Sequence, residues 1–218
     1  MKNIKEQIYD SILEDLIDGV YPIDFVFNEK FLIDKYQVSR SPIRDALVAL
    51  CNEKILRSIP RYGYEIVRIT EQNMRDIAQL RAFIEVQSFK LCCEAYCDEM
   101  LERIVRQNEQ NVRQMRTEEP NLRTMWRNNI NFHTMLLSFA GNQYSVEVLE
   151  RALTMQYRAY PQLYRRKNLL SQRTHTFESD INEYHDRLAD CLRARDFKAA
   201  AKVLRDDIYD IPVYIRDE

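Results

Sequence analysis

Apolar residues recur at helical spacing along almost the whole chain. Ile4, Ile8, Ile12 and Leu16, with Leu13 beside them, mark one face of a helix across residues 2–18. Gly19 ends that run and Pro22 follows as a stop. Asn28 is placed to cap a shorter helix, EKFLIDKY, with Phe31 and Leu32 inward. In the next stretch, VSRSPIRDAL, Ser41 reads as an N-cap and Pro42 as the first helical residue, where a missing N–H costs nothing. Ile43, Ala46, Leu47 and Leu50 make the buried stripe of this third helix, leaving Arg44, Asp45 and Val48 on its open face. The period then shortens. Ile55–Ile59 and Tyr64–Ile69 predict two strands joined through Pro60-Arg61-Tyr62-Gly63, a hairpin with a basic, aromatic tip.

From Thr70 the helical period returns and holds. Thr70 caps a helix running to Cys97, and more are predicted over residues 98–116, 121–139, 143–159, 161–170, 177–194 and 196–210. Three short helices followed by a hairpin describe a winged helix-turn-helix. The predicted fold is therefore mostly α: a winged helix-turn-helix with a β-hairpin wing over residues 1–70, then an all-α antiparallel helix bundle over residues 71–218. No linker composition separates the two.

Composition narrows the classes. Only three glycines exclude a glycine-rich phosphate loop of the Walker or Rossmann type. No apolar run reaches a transmembrane span and no basic-then-apolar leader opens the sequence, so no membrane partner and a cytoplasmic location are expected. Five cysteines without framework spacing are expected to be reduced, and Cys93 and Cys97, one turn apart, read as helix-packing residues rather than a metal or redox pair.

Charge changes the picture more. The chain carries a formal net charge of −2, yet the segment Lys35–Arg68 holds seven Lys or Arg and three acids. Positive charge is thus concentrated where a recognition helix and wing meet phosphates. Arg40 and Arg44 are placed to reach base edges in the major groove of double-stranded DNA, where Arg pairs with guanine. Ser39, Ser41 and the helix N-terminus suit phosphate contacts, Lys35 and Arg61 add charge, and Gly63 lets the wing turn tightly beside Tyr62.

In the second half, polar residues interrupt apolar stripes. Trp126, Ile130, Leu137 and Ala140 define one inward face, and Asn129 and His133 lie inside it. His185 falls within the stripe of Ile181, Tyr184, Leu188, Cys191 and Leu192, and Asp207 within that of Val203, Leu204 and Ile211. Arg81 sits among Ile77, Leu80, Ile84, Leu91 and Cys92. Burying any one of these polar groups alone costs several kcal/mol, so four helices doing so implies that the groups converge. Two imidazoles, a carboxylate and an amide oxygen suit a divalent metal; a metal-free polar pocket, or one holding an anion directly, is the alternative. Arg81 fits either, since a buried guanidinium wants a carboxylate, from a ligand or from nearby Glu85. His175 reads as loop or pocket rim.

These residues also carry a resemblance. LIDGVYPIDFVFNEKFLIDKYQVSRSPIRDALVALCNEKILRSIPRYGYEIV resembles the winged helix of the GntR family of bacterial transcription regulators, VSRSPIRDAL being its most specific piece. LRAFIE, NINFHTML and EYHDRLADCLRARDFKAAAKVLRDDI resemble the FCD effector domain of the FadR-like branch. The resemblance implies a homodimer on an inverted-repeat operator, its affinity changed by a small organic acid. The family's metal-binding members use an Asp and a His one turn apart and two later His; by position these fall on Asn129, His133, His185 and Asp207. An amide thus replaces the acid and an acid replaces an imidazole, leaving zinc, nickel and manganese open. The wing departs too, with Tyr62 where many relatives carry Arg or His before the glycine.

Two other classes fit parts of the sequence. A metal-dependent hydrolase or lyase would use two His and a carboxylate, but no HExxH or similar signature appears and the winged helix would be idle. A winged helix used only for protein contacts would not need the basic recognition segment.

Overall fold

The structure, a computed structural model, describes residues 3–117, 122–164 and 170–210. It separates into two compact units, one comprising residues 1–69 with 158–163 and the other 70–157 with 164–218.

In the first unit, α1 (Ile4–Ile17), α2 (Glu29–Tyr36) and α3 (Arg40–Asn52) pack around an apolar core. Asn3 starts α1 with a capping box to Glu6, and Asn28 caps α2 by accepting from the Phe31 amide. Gly19, at φ 63°, ends the first helical segment as its position suggested. Ile8, Ile12 and Ile17 are buried, while Ile4 is exposed in the first turn. Ile43, Ala46, Leu47 and Leu50 of α3 are fully buried, and Arg44, Asp45 and Val48 are exposed. A ring cluster of Tyr21, Phe25, Phe27 and Phe31 closes the other side of this core.

Two local expectations need correction. The N-cap of α3 is Ser39, without a side-chain cap bond, so Arg40 and Ser41 are already helical and Pro42 is the third helical residue. The first four helical N–H groups lack intrahelical partners, so proline fits at the third helical position as well as at the first. The wing is also more than a hairpin. β2 (Leu56–Ile59) and β3 (Gly63–Ile66) pair antiparallel, and β1 (Val26–Phe27) adds to the far side of β3, giving the order β1-β3-β2. A two-residue strand has no alternation to read.

The second unit is helical: α4 (Glu71–Glu94), α5 (Asp98–Thr117), α6 (Leu122–Ser138), most of α7 (Gln143–Tyr164), α8 (Leu170–Arg193) and α9 (Phe197–Asp210). Thr70 caps α4 through a capping box with Asn73. α4 packs on α6 and α9, and α8 packs on α5 and α9, around Phe89, Cys92, Phe132, Leu188, Leu192 and Leu204. The two helices expected over 143–159 and 161–170 are instead one, α7, which continues to Tyr164. Position 161 falls in its last turn, so the helix runs on through the proline from which the break was expected. His175 lies within α8 rather than in a loop; its side chain and that of Ile181 fall outside the described ones, as does Ile211. On α4, Leu80 and Leu91 are 42% and 49% exposed rather than inward. The buried face is Met74, Ile77, Ala78, Arg81, Glu85, Ser88, Phe89 and Cys92, whose charged pair displaced the two leucines from the face that hydrophobicity alone selects.

Candidate functional site

Two sets of residues matter, one exposed and one buried. In the first unit, Arg40 and Arg44 stand on the first turns of α3 with side chains 71% and 64% exposed. Both lean on one carboxylate: Arg40 Nε donates to Glu29 Oε2 at 2.5 Å, and Arg44 Nε lies 3.5 Å from Glu29 Oε1. Glu29 opens α2 and was missed in the sequence, where it reads only as a first-turn acid. Lys35 is not free charge. Its ammonium donates to Asp15 and to the Tyr21 hydroxyl, both at 2.5 Å, and sits over the Tyr21 and Tyr36 rings. At the wing tip, Tyr62 is 77% exposed and Arg61 adopts a left-handed φ of 70°. Gly63, at φ 135°, would place a Cβ 2.0 Å from the Phe27 carbonyl oxygen, so glycine is required by the approach of β1 as well as by the turn. Arg57 and Glu65 pair across β2 and β3.

In the second unit, Arg81 and Glu85 on α4, Asn129 and His133 on α6, Gln156 on α7, His185 on α8 and Asp207 on α9 are all buried. One nitrogen of His133, one nitrogen of His185 and one Asp207 oxygen lie within 4.8 Å of one another. His133 Nε2 is 3.1 Å from Asp207 Oδ2, and His185 Nε2 is 3.8 Å from the same oxygen. The other nitrogen of His133, Nδ1, is 2.6 Å from Glu85 Oε2. Arg81 donates from Nε to Glu85 Oε1 (2.7 Å) and from Nη1 to Gln156 Oε1 (2.8 Å), with Nη2 3.3 Å from His133 Nε2. Phe132 stacks on the His185 ring at a centroid distance of 3.5 Å. Gln156 was missed in the sequence, although a glutamine between Leu153 and Tyr157 is the same signal that exposed the histidines.

The electrostatics split the two histidines. Burial disfavours charge on His133, yet Glu85 and Asp207 outweigh both burial and Arg81 and raise its pKa above the usual range. Burial drives His185 down to about 3, with Asp207 offsetting only part of that. Glu85 is held below the ordinary carboxylate range despite burial, because Arg81 and His133 face it. Asp207 is lowered likewise, chiefly by its hydrogen bond from His133.

The residues fit a divalent ion. Among the described residues, neither ring nitrogen of His185 has a hydrogen-bond partner, and neither do Asn129 Oδ1 and Nδ2 or Gln156 Nε2. Orphaned buried groups are costly unless something binds them. The His185 nitrogens and Asn129 Oδ1, with His133 and Asp207, offer lone pairs suited to zinc, nickel or manganese, whereas the Asn129 and Gln156 amide N–H groups suit a ligand oxygen.

A winged helix followed in the chain by a helical unit with a buried polar centre is the organisation of a DNA-binding regulator with a separate ligand-binding unit. Comparison with known proteins makes that specific. Residues 4–66 match the bacterial regulatory proteins of the gntR family and residues 76–209 match the FCD domain. The chain belongs to the GntR family, in its FCD-containing form, and is a DNA-binding transcription regulator rather than an enzyme. It is 24% identical over 199 residues to the HTH-type transcriptional repressor GlaR of Escherichia coli, covering 90% of this chain and 89% of GlaR. It is 26% identical over 146 residues to the HTH-type regulator YdhC of Bacillus subtilis, covering 66% of this chain and 64% of YdhC, just under two thirds of that relative's length. A GntR regulator structure from Rhodococcus shares the fold at TM-score 0.73 and 16% identity, over 97% of this chain and 96% of that one.

Proposed function

We propose that this regulator binds an inverted-repeat operator in double-stranded DNA as a homodimer, and that a divalent metal with a small organic acid, held in the helical unit, controls its affinity. The proposed domains are residues 1–70 for DNA binding and 71–218 for effector binding and dimerisation. Arg40 and Arg44 read guanines in the major groove, each good bidentate pair worth about 1–3 kcal/mol. Ser39, Ser41 and the α3 N-terminus hold phosphates, Arg61 contributes free charge, Lys35 contributes only if DNA draws it from Asp15, Tyr62 meets sugar or phosphate, and Gly63 fixes the wing. Exposure of Arg40, Arg44 and Tyr62 supports this assignment.

His133, His185 and Asp207, with the Asn129 amide oxygen, would hold the metal. A bound divalent ion supplies a Lewis-acidic position for an acid's oxygen. Arg81 would meet the same acid through Nη2, the only one of its three nitrogens whose contact is longer than 3 Å. Apolar side chains left exposed on the second unit, Leu80, Phe83 and Leu91 on α4 with Tyr144 and Val148 on α7, support dimerisation there. No helix among the described residues is long and apolar enough to cross a membrane. The cytoplasm, where the chromosome lies, is the expected location.

The observation carrying this proposal is the buried convergence of His133, His185 and Asp207 in a chain whose residues 4–66 match a DNA-binding family. Fluorescence anisotropy of operator DNA with the full chain tests it: added zinc, nickel or manganese shifts the affinity of the wild type but not of His133→Ala. Equal, metal-independent affinities would overturn the metal-linked part.

A further inference from the structure

We infer that Glu85 is a positioning residue: it keeps a proton on His133 Nδ1, so that Nε2 is the nitrogen presented to Asp207 and His185. The inference rests on the metal reading above and extends it to a residue outside the ligand set. A carboxylate only accepts, so the 2.6 Å contact between Glu85 Oε2 and His133 Nδ1 requires that nitrogen to carry the hydrogen. Glu85 cannot turn away from this task. Its other oxygen is taken by Arg81 Nε at 2.7 Å, Arg81 is anchored in turn by Gln156, and Arg81 and Glu85 are 0% and 1% exposed. Nε2 faces a second carboxylate, Asp207 Oδ2, at the longer distance of 3.1 Å, and also Arg81 Nη2, which can only donate, at 3.3 Å. The shorter Glu85 contact therefore keeps the hydrogen on Nδ1, and Nε2 is the nitrogen that gives up its proton to become a ligand. Metal-ligating histidines are commonly oriented in this way by a carboxylate behind them.

His185 has no such device. Among the described residues neither of its nitrogens has a hydrogen-bond partner, and its ring plane is set by the stack on Phe132. One imidazole is thus fixed in its tautomer before any ion arrives, and the other is fixed only in its plane.

Glu85→Gln is the discriminating substitution. Arg81 has no acceptor, so the glutamine oxygen must face Arg81 and its amide nitrogen must face His133 Nδ1. That nitrogen then accepts, which moves the hydrogen to Nε2 and blocks the ligand position without removing any ligand. The experiment uses the full-length protein labelled with 15N-histidine. Long-range 1H–15N spectra of the metal-free wild type, at a pH where His133 is neutral, are expected to show the Nδ1–H tautomer, and Glu85→Gln the Nε2–H tautomer. Zinc affinity measured by competition with a chelating dye is expected to fall roughly 10–100-fold in Glu85→Gln. Gln156→Met, which removes only an outer contact to Arg81, should keep the Nδ1–H tautomer and serves as the control for a structural effect. An Nε2–H tautomer in the wild type, or an unchanged zinc affinity in a folded Glu85→Gln, would overturn the inference. Absence of zinc binding by the wild type would instead overturn the metal reading, and the tautomer spectra would still decide the role of Glu85.

Discussion

The two units place their chemistry on opposite sides of their cores. Between residues 3 and 69 every buried side chain is apolar, and the residues assigned to DNA stand outside. In the helical unit the reverse holds: Arg81, Glu85, Asn129, His133, Gln156, His185 and Asp207 are all buried. Substitutions of the exposed side chains in the first should change what the protein binds while leaving it folded. Substitutions in the second should change both, because each buried charge is balanced by a neighbour.

The largest effect is therefore expected from Arg81→Met, which strands Glu85 without its guanidinium partner. Thermal or urea unfolding of the metal-free protein should report a loss of about 3–5 kcal/mol. A change below about 1 kcal/mol would mean that the buried pair is not what balances this core.

Next in size is Gly63→Ala, whose methyl group would meet the Phe27 carbonyl oxygen at a φ of 135°. It should cost about 1–3 kcal/mol in unfolding measurements and loosen the pairing of β1 with β3. Arg44→Ala follows, with operator affinity falling about 10- to 100-fold and the unfolding midpoint unchanged. Equal loss of affinity for unrelated DNA would make Arg44 a phosphate contact rather than a base reader. The smallest change is expected from Glu29→Gln, which frees Arg40 and Arg44 from an exposed ion pair worth no more than about 1 kcal/mol. It should shift operator affinity by less than a factor of ten.

The buried unit should also be the pH-sensitive one. His185, held to about 3 in the folded chain against an ordinary 6.5, binds its proton only on unfolding, so metal-free stability falls as pH drops from 6.5 toward 3. Glu85 and Asp207, both lowered, add losses in the acid range as they protonate. His133 works the other way. Its raised pKa gives stability that is complete below 6.5 and is lost as pH rises through the folded value. Denaturant titrations from pH 4 to 9 should therefore show a maximum near neutrality, each histidine setting a slope of at most about 1.4 kcal/mol per pH unit. Replacing Asp207 by Asn should flatten the alkaline arm.

How much of this was legible in the sequence follows the same division. The third helix could be read because its apolar stripe, Ile43 to Leu50, is regular and local. Its N-cap was misplaced by two residues, since Ser39 and Ser41 are chemically equal candidates and no side-chain cap bond distinguishes them. β1 has two residues and exists only because β3 is beside it, a long-range fact without a local signal. In the bundle, inward histidines, Asn129 and Asp207 could be read as interruptions of apolar faces. Leu80 and Leu91 could not, because the buried Arg81–Glu85 pair claims the face that hydrophobicity would have given them. Which nitrogen of each imidazole faces which carboxylate is a matter of ångströms, and no spacing encodes it.

The central claim is that His133, His185 and Asp207 form a divalent-metal site within a DNA-binding regulator. Metal content of the purified full-length protein, measured by mass spectrometry after equilibration with zinc, nickel and manganese, tests it most directly. The expected result is one ion per chain in the wild type and none in His133→Ala or Asp207→Ala. A wild type that takes up no more metal than those variants would contradict it.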